Sequence, residues 1–338
     1  MFWRMVSAGL IWSTVLTTLA AAQGFYEGRQ VTMVVGTEAG GGYDIYGRAV
    51  GRHIGRFLPG RPVVIVQNMP GAGSAKAAEY MYALAPKDGS TIGIVFPGIL
   101  VEPLTADGNK YRFEPVKFGY LGSADSGTRM CVTYKTSKIK TFDDALKLPS
   151  NFGGSTPGSS TTDYAQMLIK LAGARMKIIN GYRSSIDTAV AMERGEVDGM
   201  CGLDISSLRS MRVDWVGTPE AQLILQASLE PSAELLKMGV PSIWDYVTGD
   251  NRKAAEIVIA QQEFHRPFIA PPGTPADRLE LLQTAFMAAM NDPEFLSDSV
   301  KMKLSIAAKD GATVAALVKK LYASPPDLIE RLRQALRP

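Results

Sequence analysis

Short apolar runs alternate with amphipathic stretches along most of the chain. The first run, residues 31–36, is typical of a strand buried on both faces. Glycines 40–42 follow, and then a helix with apolar residues at helical spacing: Tyr46, Val50, Ile54 and Phe57. Residues 63–67 predict the next strand, and residues 68–74 a second glycine loop before another helix. This order predicts a parallel α/β sheet whose loops meet at the carboxyl edge, where ligands bind.

The middle of the chain repeats the same alternation. Residues 90–96 predict a third strand, and residues 118–128 a crossing into a second domain. Strands are predicted at residues 130–134, 152–155, 176–180, 197–201 and 222–227. The loop at residues 156–160 precedes a helix from about Thr161 that buries Tyr164, Leu168 and Leu171. The pattern therefore predicts a second α/β domain with its own loop at a helix start.

The first residues have the features of a secretory signal. Arg4 gives a short basic region, residues 5–19 are apolar, and Ala20–Ala22 satisfy the small-residue cleavage rule. We therefore expect residues 1–22 to be removed before Gln23, although an uncleaved anchor is the alternative. No later stretch approaches about 18 consecutive apolar residues. The sequence predicts an exported chain without a further membrane span.

Length and charge narrow the possible functions. The 338 residues are enough for two domains of ordinary size, each with a buried core. The formal net charge is +3, or +2 without Arg4, and Lys and Arg are scattered. No basic run is present, so nucleic acid is not expected as a partner.

The two cysteines, Cys131 and Cys201, lie in predicted strands of the second domain. An even count in an exported chain predicts one disulfide, and neighbouring strands bring Cα atoms within bridging distance. The alternative is two buried free thiols that pack as small apolar side chains. Neither has a histidine or further cysteine at ligand spacing, so no metal or cofactor is predicted.

The glycine and serine loops are candidates for binding an anion. Glycines 40–42 lack the G-x-G-x-x-G spacing of dinucleotide sites and the Walker lysine, so an anion cradle or a plain tight turn are the remaining interpretations. Ser159 and Ser160 could act as helix caps, and cap hydroxyls beside free amides can also hold a carboxylate. Asp44 is either a helix cap or a ligand contact.

Catalysis by a serine nucleophile finds little support in the sequence. Ser155, Ser159 and Ser160 are available, but the only histidines are His53 and His265. His53 lies among apolar residues of the first helix, His265 precedes a strand, and no G-x-S-x-G elbow is present. We therefore predict a binding protein rather than an enzyme.

Several of these motifs, in this order, resemble one protein family. The residues concerned are Gly41, Gly42, Asp44, Asn68, Pro70, Gly71, Ala72, Gly73, Gly154, Ser155, Gly158, Ser159, Gly181, Tyr182, Ala189, Gly195, Val197, Asp198, Ala270, Pro271, Gly273, Thr274 and Pro275. They are similar to motifs of the Bug (TctC) family, the periplasmic solute-binding proteins of tripartite tricarboxylate transporters. The chain departs from the family at residues 37–39 and 180–184, both next to the expected cleft.

The resemblance implies a two-lobed, type II-like periplasmic binding protein fold, α/β in class, with a ligand cleft between the lobes. Residues 23–122 with 249–338 would form the first lobe and residues 123–248 the second. It further implies a periplasmic monomer that captures a small organic anion, a carboxylate, for the membrane permease subunits of such a transporter. A ligand-sensing subunit of a signalling receptor, or an exported hydrolase, are the alternatives. The implied ligand-binding residues are Gly41, Gly42, Tyr43, Asp44, Ser155, Pro157, Gly158, Ser159, Ser160 and Tyr182.

Overall fold

The computed structural model describes residues 24–106 and 110–336, and its strands form two sheets. The predicted signal segment, residues 1–22, lies outside the described residues. The first sheet contains β1 (Gln30–Val35), β2 (Val63–Asn68), β3 (Thr91–Ile94), β4 (Gly119–Ser123), β10 (Pro267–Ala270) and β11 (Lys309–Asp310). The second contains β5 (Arg129–Tyr134), β6 (Ser150–Gly153), β7 (Met176–Ile179), β8 (Gly199–Asp204) and β9 (Ala221–Ala227). The predicted two-lobed α/β class is confirmed.

Each sheet combines parallel strands with antiparallel crossing strands. The first has the order β11–β4–β10–β3–β1–β2, in which β1 is parallel to β2 and β3 while β10 is antiparallel to β3 and β4. The second has the order β7–β6–β8–β5–β9, in which β6 is parallel to β7 and β8 while β5 is antiparallel to β8 and β9. The amino ends of β5 and β10 therefore share an edge with the carboxyl ends of their neighbours.

Helices cover both sheets. Within the described residues they are α1 (Gly42–Ile54), α2 (Ala75–Ala83), α3 (Glu102–Thr105), α4 (Phe142–Lys147), α5 (Ser160–Ala172), α6 (Ser185–Glu193), α7 (Ile205–Met211), α8 (Ala233–Lys237), α9 (Gly249–Ala260), α10 (Ala276–Met290), α11 (Pro293–Lys301), α12 (Gly311–Tyr322) and α13 (Pro326–Leu336). None of these helices has the length and apolar character needed to cross a membrane.

The first helix shows how the apolar stripe directs packing. Tyr46, Val50 and Ile54 are fully buried against the sheet because they recur on one face of α1. The α-helix ends at Ile54 and continues as a short 3-10 turn, so Phe57, the fourth predicted stripe residue, stays partly exposed. Gly47 allows the close approach of α1, since a Cβ there would come 2.8 Å from Val35 Cγ2.

The two lobes are joined where the chain changes sheets, between Ser123 and Arg129 and between Ala227 and Pro267. The two crossings are hydrogen-bonded to each other. Ser123 Oγ accepts from the Arg266 amide (3.0 Å), and the Asp125 carbonyl accepts from the His265 amide (3.2 Å). This pairing makes the crossings one connected hinge between the lobes.

The predicted disulfide is confirmed. Cys131 on β5 and Cys201 on β8 are bonded, with Cα atoms 3.9 Å apart. Both are buried, and the pairing of β5 shifts register at Cys131 against both of its neighbours. The bridge therefore joins a bulged crossing strand to the strand beside it.

Candidate cleft between the two lobes

A cavity of about 720 Å³ lies between the carboxyl edges of the two sheets. The first lobe lines it with residues 37–43, Phe96 and Arg266. The second lobe lines it with Arg129, Ser155, residues 159–161, 183–187 and 202–203, and Ser207. Its position follows from the topology, because loops after parallel strands collect at one edge of each sheet.

The wall from the first lobe is the start of α1. Gly41 is the N-cap, and no side chain caps the helix there. Within the described part of the chain, the amides of Gly42 and Tyr43 donate to no protein acceptor, as expected for a first helical turn. Tyr43 presents its buried ring beside these amides, and its hydroxyl donates to the His265 carbonyl (3.0 Å). The helix start thus offers uncapped N–H groups and the positive end of its dipole to the cavity.

Asp44 shapes this loop and does not line the cavity. Its carboxylate accepts from the Gly40 amide (2.8 Å), from Arg48 Nε (2.9 Å) and from Asn68 Nδ2 (2.9 Å). Burial opposes its ionisation, but these bonds outweigh burial, so the pKa of Asp44 lies below its ordinary value. The carboxylate therefore holds the glycine loop against β2.

The wall from the second lobe is the start of α5. The Ser159 hydroxyl is used within the loop, since it donates to the Thr156 carbonyl (2.6 Å) and contacts Thr161 Oγ1 (3.3 Å). Ser160 is half-buried, and among the described residues neither its hydroxyl nor its amide has a hydrogen-bond partner. The Ser160 hydroxyl is therefore available to a ligand, and so is that of Ser155, which lines the cavity and uses only its amide within the loop.

The structure places six of the ten predicted ligand-binding residues on the cavity: Gly41, Gly42, Tyr43, Ser155, Ser159 and Ser160. Pro157 and Gly158 face the first lobe instead. A Cβ on Gly98 would lie 2.3 Å from the Gly158 carbonyl, and one on Gly73 would lie 3.4 Å from the Pro157 carbonyl. Tyr182 packs beside Gly153 in the second lobe. These residues and Asp44 are near the cavity without lining it.

The floor of the cleft carries Arg266, which joins the lobes. Its guanidinium lies over the rings of Tyr43 (4.2 Å) and Tyr46 (4.7 Å) from the first lobe. Its Nη2 lies 3.5 Å from both Asp204 Oδ2 and Ser207 Oγ of the second lobe. Arg266 is 3% exposed, so these cation–π and ionic contacts are made away from bulk water.

Three buried titratable groups lie beneath this floor: Asp125, Asp204 and His265. Burial opposes ionisation of Asp204, but Arg266 and Arg129 hold its pKa below the ordinary value. Burial and the neighbouring Asp204 raise the pKa of Asp125 to about 8. Burial and the two arginines hold the pKa of His265 well below its usual range. At neutral pH the floor therefore has one ionised carboxylate, a protonated Asp125 and a neutral imidazole.

The same three side chains have ligand atoms within 4.8 Å of one another, close enough to hold a metal ion. A divalent cation there would meet the positive charges of Arg129 and Arg266, which already depress the pKa of His265. We therefore assign no metal to this cluster.

Neither histidine in the described residues lines the cavity. His53 is buried at the far end of α1, where Nε2 lies 3.2 Å from Asp298 Oδ2. His265 is fully buried under the floor. A Ser160 nucleophile would consequently have no lining imidazole as its base.

Sequence reasoning missed Arg129 and Arg266. Each stands at the amino end of a crossing strand, whereas ligand residues are expected at the carboxyl ends of parallel strands. The available signal was a single charged residue directly before or at the start of an apolar strand next to a domain crossing.

The comparisons with known proteins agree with this architecture. No protein-family model matches the chain. It is 24% identical over 336 residues to a UPF0065 protein from the TAR-I ttuE–ttuC′ intergenic region of Agrobacterium vitis, covering 97% of this chain and 90% of the relative. It is 26% identical over 319 residues to a UPF0065 protein from the gbd 5′ region of Cupriavidus necator, covering 90% and 88%.

Among solved structures, the periplasmic binding protein BugD superposes with a TM-score of 0.69 at 19% identity, covering 92% of this chain and 98% of BugD. The chain has the Bug-type periplasmic binding protein fold. MatC of Rhodopseudomonas palustris with bound malate gives 0.66 at 19% identity, covering 91% and 99%. A second R. palustris protein with adipate gives 0.68 at 17% identity, covering 90% and 97%. The resemblance to the Bug (TctC) family is confirmed, and these neighbours are binding proteins rather than enzymes.

Proposed function

We propose that this chain is an extracytoplasmic solute-binding protein that captures a small organic anion, a carboxylate, and delivers it to the permease of a tripartite tricarboxylate-type transporter. The observation that carries the proposal is the cleft itself. Uncapped helix starts at Gly42 and Ser160 line it from opposite lobes. Two sets of free amides at positive dipole ends favour an anion held between them.

The neighbours support the chemical class of the ligand. MatC holds malate and the second R. palustris protein holds adipate, and both have the same two-lobed fold. A cavity of about 720 Å³ has room for acids of this size together with bridging water. We propose that Gly41, Gly42, Tyr43, Ser155, Ser159 and Ser160 contact the ligand. Asp44, Pro157, Gly158 and Tyr182 act on the shape of the walls.

Closure of the lobes completes the proposed cycle. Rotation about the paired crossings would bring the α1 and α5 starts together on one ligand and exclude water from the cleft. Electrostatic contacts strengthen when water leaves. The closed, loaded form is then the form that the membrane permease recognises.

A thermal-shift screen over mono-, di- and tricarboxylates tests the proposal. A ligand present at 100 times its Kd stabilises the folded form by about 2.7 kcal/mol, a rise in Tm on the order of 5 °C. Citrate, malate, adipate and lactate, each with its uncharged amide, form a suitable panel. If no carboxylate raises the Tm, the proposed ligand class is wrong. Deleting the gene should abolish uptake of the acid that binds, and normal uptake would argue against the transport role.

Ser160→Asp locates the site within the cleft. The variant adds one negative charge at the first position of α5, where an acidic residue also suits the helix dipole. We expect repulsion to weaken binding of the best carboxylate by about 100-fold or more, with little change in the Tm of the empty protein. Ala276→Asp is the matched control, because it adds the same charge at the exposed first residue of α10, outside the cleft. Equal affinity of both variants in titration calorimetry would place the site elsewhere.

A further inference from the structure

Arg129 is a buried arginine on the cavity floor. It is the first residue of β5, is 6% exposed and lines the cleft. Its Nη1 donates to the Gly202 carbonyl (3.1 Å), while Nε is buried with no partner among the described residues. No carboxylate of the described residues lies within 4.0 Å of the Arg129 guanidinium. Burying an ionised group without a counter-charge raises the free energy of the folded protein, so binding of an anion beside Arg129 would be favourable.

The surrounding charges leave this arginine uncompensated. The ionised carboxylate of the floor, Asp204, accepts from the Ser207 amide (2.9 Å) and the Ser206 hydroxyl (2.7 Å), and it lies 3.5 Å from Arg266. Asp125 keeps its proton at neutral pH, since its pKa is about 8, and His265 is neutral. On the floor, two guanidinium groups therefore share a single ionised carboxylate. Glu38 and Asp187 also line the cavity, but among the described residues neither carboxylate lies within 4.0 Å of Arg129.

Gly202 brings Arg129 close to the start of α5. The Gly202 carbonyl accepts from Arg129, and a Cβ on the same residue would lie 2.0 Å from the Ser160 carbonyl and 3.0 Å from the Thr161 amide nitrogen. Gly202 also has φ +72°, which favours glycine. The absence of a side chain thus lets the guanidinium and the free first turn of α5 approach the same part of the cavity.

We propose that Arg129 is the charge anchor of the ligand: its guanidinium donates to an anionic oxygen that reaches the cleft floor beside the start of α5, and it makes the site select an organic anion over its uncharged isostere. This inference rests on the proposed capture of an organic anion in the same cleft and adds the residue that sets its charge selectivity. The planar donor fork fits any oxyanion with two coplanar oxygens, a carboxylate first, and a sulfonate or sulfate by the same chemistry.

Titration calorimetry with charged and uncharged probes tests the assignment. Succinate and adipate are each compared with their diamides, and inorganic sulfate serves as a non-carboxylate anion. Arg129→Gln should weaken binding of the dicarboxylates by about 10- to 100-fold, as expected for loss of a hydrogen bond to a charged group. The same variant should change binding of the diamides by less than about threefold. Arg129→Lys keeps the charge without the fork and should recover part of the loss.

Arg175→Gln is the matched control. Arg175 is also an arginine of the second lobe that donates one bond to a carbonyl, that of Lys147 (2.9 Å), but it is exposed and outside the cavity. This variant removes the same charge from the protein and should bind every probe as the wild type does. Circular dichroism and the Tm of each empty variant establish that it is folded.

The outcomes separate this inference from the proposed function. Unchanged dicarboxylate affinity in folded Arg129→Gln overturns the anchor role and leaves carboxylate capture intact. Sulfate binding that Arg129→Gln abolishes, without binding of any carboxylate, supports the anchor and overturns the carboxylate assignment. No stabilisation of wild type by any anion overturns both. If Arg129→Gln does not fold, the affinities of the wild type for succinate and succinamide are compared instead. Equal affinities would show that the site does not select for charge and would overturn the anchor role.

Discussion

Asp125 offers a quantitative test of the buried floor. Its carboxyl group is 1% exposed and lies in the hinge between β4 and β5, where Nδ1 of His265 is 3.4 Å from Oδ2. Charged groups also face it: Asp204 at the end of β8, Arg266 directly before β10, and Arg129 at the start of β5. Burial is the main cause that raises its pKa to about 8. We predict that Asp125→Asn, a neutral variant of similar shape, stabilises the protein increasingly as the pH rises.

The sign follows from linkage. The folded state keeps the Asp125 proton up to about pH 8, whereas the unfolded chain releases it near its ordinary pKa of about 4. The stability from this proton is fully present below about pH 4 and is lost as the pH rises to about 8. One proton can change the free energy of unfolding by at most about 1.4 kcal/mol per pH unit. Between about pH 5 and about pH 7, the difference between Asp125→Asn and wild type should therefore grow by about 2–3 kcal/mol.

Urea unfolding at several pH values measures this difference directly. The subtraction of wild type from variant removes the contributions of other titrating groups, among them the buried Asp163, whose pKa burial raises to about 7. Asp327→Asn is the control, because it makes the same substitution at an exposed position, at the start of α13. An equal growth of the difference in this variant would refute burial as the cause. A constant difference between Asp125→Asn and wild type across this range would refute the assignment of a buried, protonated carboxyl group.

Two further predictions concern the second lobe. Removing the disulfide by Cys131→Ala with Cys201→Ala should lower the free energy of unfolding by about 4 kcal/mol, because the bond closes a loop with a sequence separation of 70 and so restricts the unfolded chain. Urea unfolding measures this loss, and a value under about 1 kcal/mol would contradict the explanation by unfolded-chain entropy. Gly202→Ala should cost at least about 2 kcal/mol and weaken ligand binding, since its Cβ would lie 2.0 Å from the Ser160 carbonyl. Gly173→Ala is the control, because Gly173 also has a positive φ (+74°) but open space around it. It should lower the free energy of unfolding by about 1 kcal/mol without affecting binding, and equal effects of the two substitutions would rule out a steric clash at Gly202 as the cause.

Much of the fold could be predicted from local patterns. The parallel strand β1 is a mostly buried apolar run, and β2 is an apolar run at the exposed edge of the same sheet. Glycine-rich loops follow both strands, and a similar loop precedes α5, so the sequence predicts the starts of α1 and α5. The pairing of Cys131 with Cys201 followed from their places in neighbouring strands of an exported chain. These features depend on residues close together in sequence or on a single pairing.

The floor of the cleft depends on long-range strand order, and the sequence pattern does not contain it. The sequences of β5 and β10 predict ordinary apolar strands. Because both strands run antiparallel to their neighbours, Arg129 and Arg266 lie at the edge of the sheets that faces the cleft. Likewise, nothing local shows that the Gly98 backbone meets Gly158 and turns that part of the serine loop away from the cavity. The sequence left the role of Asp44 open for the same reason, because Asp44 is on α1 whereas its partner Asn68 is at the end of β2.

The position of the disulfide has a consequence for strand register. Cys131 is two residues from Arg129 on β5, and Cys201 is next to Gly202 on β8. Side chains alternate between the faces of a strand, so a slip of β5 by one residue would move Arg129 to the opposite face. The register of β5 is irregular at Cys131, and the covalent bond at that residue fixes the pairing there. Oxidation of the cysteines therefore sets which face of β5 the arginine occupies as well as how stable the lobe is.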